Sequence, residues 1–146
     1  MLRFATHALV VGLSLLLCKP ALSCQCGTIP PPAEALARAE HVFLGLVEAI
    51  DEAPVTLKAD DTHSWSGSVP RITFRVGQRW KGAPGQRVFI HSITNCAYKF
   101  ELGRSYLVFA ERSFLTEALE ATRCLPTAPR SYAAESIRSL GPPLKP

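Results

Sequence analysis

Cys24-Gln25-Cys26 puts two thiols one residue apart, and only two other cysteines lie C-terminal to it, Cys96 and Cys124. Thiols in this arrangement have three kinds of chemistry open to them. They can form disulfides, bind a soft metal ion, or pass electrons through a dithiol couple. A bridge between Cys24 and Cys26 themselves is geometrically poor, because a one-residue spacer strains it. Two long-range bonds are therefore expected, although four cysteines allow three connectivities and sequence does not choose among them. Metal and redox roles would need free thiols in a compartment that oxidises them. The chain has no Ser/His/Asp set, paired-carboxylate site or glycine-rich phosphate loop, so no enzyme activity is expected and no cofactor is implied. His41, His63 and His91 are scattered without ligand spacing and read as surface or core histidines rather than a zinc site.

The residues before Cys24 explain why these thiols should oxidise. Residues 1–23 read as a signal peptide: Arg3 supplies the positive n-region, Ala8 to Leu17 is an uncharged apolar run, and Lys19-Pro20 breaks it. Ala21-Leu22-Ser23 then offers small residues at the two positions a signal peptidase reads. The apolar run is too short to cross a bilayer as a stable helix, and no later stretch is long enough, so no membrane span is expected. Cleavage after Ser23 makes Cys24 the first residue and removes Cys18. The four cysteines that remain are an even count, as expected of a disulfide-bonded exported domain, secreted or periplasmic. Lipid anchoring at Cys24 is the weaker reading, because Ala21 stands where the leucine of a lipidation signal is usual. Lipidation would block the amine and the thiol of Cys24 together, so the two fates exclude each other.

Residues 24–146 are enough for one domain with one modest core. The chain carries 16 Lys and Arg against 12 Asp and Glu, a net +4. The leader holds Arg3 and Lys19 and no acid, so 14 bases face 12 acids after it and the net is +2. Phosphate binding draws on a concentrated basic face, and so near-neutral a chain argues against nucleic acid as a partner. Arg71, Arg75 and Arg79 share the polar face of one strand and read as a solvated face.

The elements that must hold Cys24 and Cys26 follow in order. Gly27 to Pro32 is extended, partly polyproline-like chain. Pro32 to Glu40 is a short alanine-rich helix with proline in its first turn. Val42 to Ile50 is a strand in which Gly45 suggests a bulge or bend. Asp51 to Val69 reads as loop at its ends, with a stretch of strand at Val55-Thr56-Leu57. Arg71 to Val76 alternates polar and apolar residues and is a half-buried strand. Arg87 to His91 and Tyr106 to Ala110 are further strands, and a short fifth ends near Cys124. Ser131 to Leu140 is a helix stopped by Gly141-Pro142-Pro143. Trp80 and Tyr98 read as core or turn-packing residues. Ile72, Phe74, Val76, Val88, Ile90, Leu107 and Phe109 are expected to fill one interior. The fold class is all-β with flanking short helices, and a five-stranded Greek-key barrel of the OB type fits the count and length.

An N-terminal Cys-x-Cys directly after a signal peptide, a third cysteine mid-chain and a fourth near the end resemble the netrin-like (NTR) domain. Within it, the likeness is strongest to the N-terminal domain of the tissue inhibitors of metalloproteinases. The likeness is carried by Cys24-Gln25-Cys26, Ala39 to Gly45, Trp80-Lys81-Gly82, Cys96 to Gly103 with Tyr106 to Phe109, and Cys124. It implies the OB-type barrel, with Cys24 bonded to Cys96 and Cys26 to Cys124. It also implies a function, inhibition of a zinc metalloprotease, in which Cys24 chelates the protease zinc through its main-chain amine and carbonyl. Gln25 enters the primed-side specificity pocket, and Thr94-Asn95 forms the neighbouring contact ridge. The inhibitors carry a third disulfide and a second cysteine-rich domain that this chain lacks, and smaller residues than Gln25 are usual at that position. A reduced chain of this kind looks more like bacterial members of the family. The alternative reading is an exported interaction or adhesion module on the same fold, with Cys24 and Cys26 serving only as a structural staple.

Overall fold

The structure, a computed structural model, describes residues 24–58 and 64–145. The expected signal peptide over residues 1–23, with Cys18, and Asp60-Asp61 and His63 lie outside the described residues. Two 18-residue strands, β1 (His41–Lys58) and β2 (Ser64–Lys81), pair antiparallel from Val42 opposite Lys81 to Lys58 opposite Ser64. Both run well past the ends expected from sequence. Ala53, Val55 and Leu57 alternate with Glu52, Pro54 and Thr56, while Trp65 and Val69 on β2 are separated by serines and glycine that mask the two-residue period. Pro70 lies in β2 opposite Glu52, and its carbonyl accepts from the Ser92 amide at 2.9 Å. The pairing shifts register at three points in β1, one of them between Leu44 and Gly45. A Cβ at Gly45 would sit 3.0 Å from the Phe43 ring and 3.1 Å from the Arg75 carbonyl oxygen, so the bulge needs the close approach that glycine allows.

The other strands build outward from this pair. β3 (Arg87–His91) pairs with Arg71 to Arg75 of β2, and β4 (Ser105–Arg112) with His41 to Leu46 of β1. β5 (Leu119–Glu120) and β6 (Ala128–Pro129) are two-residue strands that both pair with β4. The hydrogen-bonded order is β3-β2-β1-β4-β5 with β6 beside β4, an antiparallel sheet of six strands rather than the expected five. The sixth, β6, is too short and proline-containing to leave a pattern in the sequence. As a hydrogen-bonded sheet it is open. Its two edges nevertheless approach: the Glu120 carboxylate of β5 accepts from the amides of Ile93 and Thr94, just beyond β3, at 2.9 and 2.7 Å.

Among the described residues, two short α-helices flank the sheet. α1 (Pro32–Arg38) stops two residues earlier than expected, and the Glu40 amide already donates to Ala110 at 2.8 Å. The Lys81 ammonium satisfies carbonyls in its last turn, those of Leu36 at 3.0 Å and Ala37 at 2.9 Å. The expected C-terminal helix divides into a 3-10 turn (Arg130–Tyr132) and α2 (Ala134–Leu140), ended at Gly141. Trp80 reaches this end, its indole donating to the Gly141 carbonyl at 2.8 Å. Among the described residues no helix is long and apolar enough to cross a membrane.

The single expected interior is in fact two clusters on opposite faces of the sheet. One gathers Phe43, Val47, Ile72, Phe74, Val88, Ile90, Tyr106 and Val108, with Val76 packed at its margin. Edge-to-face contacts link Phe43 to Phe74, Phe74 to Phe100 and Phe100 to Tyr106, at centroid distances of 5.3, 4.9 and 5.0 Å. The other holds Val42, Leu44, Trp80, Leu107, Phe109 and Leu125 under Ala35 and Ala39 of the helical side. Leu107 and Phe109 therefore face away from Phe74, against expectation. Tyr106 to Ala110 are all buried, so β4 is covered on both faces and its unbroken apolar run carries no alternation from which to read a side.

Candidate functional site

Among the described residues, Cys24 to Pro31 belong to no helix or strand, and Thr28 is a bend. Cys24 is half-buried, Gln25 to Ile29 are exposed, and Pro30 is buried where the chain turns into α1. Two covalent ties hold this stretch. Cys24 is bonded to Cys96 and Cys26 to Cys124, with Cα–Cα distances of 4.9 and 5.1 Å. The bridges also touch each other. The Cys24 sulfur lies 3.8 Å from that of Cys26 and 3.9 Å from that of Cys124, which is van der Waals contact since bonded sulfurs have no proton to donate. The sulfurs of Cys24, Cys96 and Cys124 lie within 4.8 Å of one another, but disulfide bonding removes the thiolates a soft metal would need. Disulfides form and persist in oxidising compartments outside the cytoplasm.

Cys96 belongs to a tight loop that carries the other expected contact residues. The Thr94 hydroxyl accepts from the Cys96 amide at 3.3 Å and its carbonyl from the Ala97 amide at 3.1 Å, closing a turn over Thr94 to Ala97. Thr94 is half-buried and Asn95 exposed at its crest. This loop is fastened along its length to residues 120–124. Glu120 takes the amides of Ile93 and Thr94, and Tyr98 donates to the Ala121 carbonyl at 2.7 Å. The Arg123 amide meets the Cys96 carbonyl at 2.8 Å, and its guanidinium meets the Asn95 carbonyl at 3.0 Å. Beneath the loop, Tyr98 lies against Phe100 and Tyr106, and burial, then the Tyr106 phenol, push its own phenol above the usual range.

The structure thus ties Cys24 to the loop that carries Thr94 and Asn95, through its bond to Cys96. Gln25 is carried between the two bridged cysteines. Glu120 and Arg123, which hold the ridge from below, were not among the residues expected from sequence. An acid four positions before Cys124 and an arginine next to it form no motif, and only the pairing of residues 93–98 with 120–124 reveals them. A groove of about 580 Å3 lies elsewhere, between the end of β2, the turn at Gly82 to Gln86 and the C-terminal tail. None of the four expected contact residues lines it. An exposed ridge does not need a cavity, so the groove's size is no argument against the ridge. No protein-family model and no curated protein matches the chain.

Proposed function

We propose that residues 24–146 are an exported netrin-like domain that inhibits a zinc metalloendopeptidase through its first residue. On this reading the sheet is a five-stranded barrel of the OB type whose seam runs between β3 and β5, with β6 as an addition to β4. A catalytic zinc keeps one coordination position for water. The α-amine and carbonyl of Cys24 form a five-membered chelate that displaces that water, while Gln25 enters the adjoining primed-side pocket and Thr94-Asn95 packs alongside. The amine must be neutral to bind, and an ordinary α-amine, with a pKa of about 7.7–8.0, deprotonates at small cost near neutral pH. Rigidity is the larger demand, because a mobile terminus would lose most of its affinity in becoming ordered.

The observation that carries this reading is the Cys24–Cys96 bond. It joins the proposed chelating residue to the Thr94-Asn95 loop, so the two contact segments form one covalent unit. The test compares the mature protein with a form carrying one extra alanine before Cys24, against a panel of zinc metalloproteases. The extended form should fold and keep both disulfides yet lose inhibition almost completely, because its amine is displaced and the added residue meets the metal site. Equal inhibition by both forms, or none by the native form across the panel, would leave the interaction-module reading in its place.

A further inference from the structure

Glu120 is a carboxylate at 4 % exposure, and nothing in the proposed chelation uses it. Among the described residues it is the one ionisable side chain in the buried polar set, beside Ser113 and Thr127. Burying a charge is unfavourable unless strong hydrogen bonds compensate, and here one oxygen receives two amides at 2.9 and 2.7 Å. Those amides belong to Ile93 and Thr94, the two residues leading into the ridge crest. β3 has ended at His91 and β5 contributes only Leu119 and Glu120, so no regular ladder spans this stretch. Beyond it, the next ties to the same rail are the Arg123 guanidinium on the Asn95 carbonyl and the Tyr98–Ala121 and Arg123–Cys96 bonds. The disulfide at Cys96 fixes the far side of the crest. The near side is tied to β2 by the Ser92 amide on the Pro70 carbonyl, and to β5 by the Glu120 carboxylate.

We propose that Glu120 is a positioning residue: its carboxylate sets the height and direction of the Thr94-Asn95 ridge relative to Cys24. This rests on the inhibitor reading above. A residue that merely satisfied two amides for the sake of folding would affect stability alone. One that aims the ridge must also change how tightly the folded, disulfide-intact protein engages its target.

The test uses three variants of the mature protein with both disulfides verified by peptide mapping. Glu120→Gln keeps an oxygen in place for both amides. Glu120→Asp keeps the charge but withdraws the acceptor by one methylene, and Glu120→Ala removes it. Amide hydrogen exchange at Ile93 and Thr94 should quicken by about ten- to a hundredfold in the Ala form, less in the Asp form, and stay near native in the Gln form. Inhibition of a susceptible protease, measured well below the unfolding temperature, should weaken by about tenfold or more in the Asp and Ala forms and be retained by Gln. If the Ala form does not fold, the Asp form reads the same contrast. Native-like inhibition by Glu120→Asp despite faster Thr94 exchange overturns the positioning role, as does unchanged exchange in either shortened form. A native protein that inhibits nothing removes the reading beneath it, and that outcome is recognisable before any variant is made.

Discussion

Gly82 and His41 are fitted to one another. Gly82 has φ of 108°, a conformation that residues with a Cβ rarely adopt, and a Cβ there would stand 2.3 Å from the His41 Nδ1. Gly82→Ala should therefore destabilise the protein by about 1–3 kcal/mol in urea denaturation. The imidazole itself is half-buried with its Nδ1 shielded and unbonded, as is that of His91. Burial holds the His41 pKa below the usual value; Glu40 opposes this, and Arg79 and Arg112 reinforce it. Burial, then Arg71, does the same for His91, against Asp51. Between the usual histidine pKa of about 6.5 and these lowered values the unfolded chain binds more protons than the folded one. Stability should thus be full above that pH and fall as pH drops through the window, and His91→Gln should flatten the decline. A urea midpoint that is level between pH 7 and pH 5 would contradict this. Sequence had these histidines as core or surface residues without a way to tell which, because burial depth depends on what packs from other elements.

At the scale of elements, the two faces of the sheet give the sharpest check. Phe74 lies in the cluster with Phe43 and Tyr106, and Phe109 in the cluster with Trp80 and Leu125. Each substitution to alanine should cost about 3–5 kcal/mol, since both side chains are fully buried. A loss below about 1 kcal/mol at either position would mean that strand presents its other side. Thr127 supplies a further link: its hydroxyl accepts from the buried Phe109 amide at 3.0 Å, so Thr127→Val should cost about 1–3 kcal/mol by leaving that donor unpaired. Strand β3 was legible to the residue because the apolar run Val88-Phe89-Ile90 follows the Pro84-Gly85 turn, although the exposed Phe89 hides the alternation that its burial shows. The burial of β4 on both faces was not, since Leu107 and Phe109 read identically on either side. The length of the β1–β2 hairpin was hidden for another reason: Ser64, Ser66, Gly67 and Ser68 are poor strand formers that hold register through pairing with Pro54 to Lys58.

For the whole molecule, the bridges close separations of 72 and 98 residues. The chain-entropy model gives about 4–5 kcal/mol for each as an upper figure, and less for the pair together because the loops overlap. Replacing Cys26 and Cys124 by serine should lower stability while leaving Cys24 bonded, which peptide mapping can verify. Which cysteines would meet could not be derived from the composition of the chain; it depends on the 93–98 loop lying along residues 120–124. The resemblance pointed to Thr94-Asn95, but what supports them was out of reach, because Glu120 and Arg123 do so through backbone contacts that no motif encodes. If the protein is exported as proposed, mass spectrometry should find a chain beginning at Cys24 with an unmodified amine and four hydrogens fewer than the reduced form. A diacylglyceryl adduct at Cys24 would end the chelation proposal. The most direct measurement is the visible spectrum of a cobalt-substituted metalloprotease that the mature protein inhibits. Binding through the Cys24 amine and carbonyl should replace the metal-bound water and change the cobalt bands, and an acetylated terminus should leave them as they were. Inhibition by the native protein with an unchanged cobalt spectrum would contradict chelation outright.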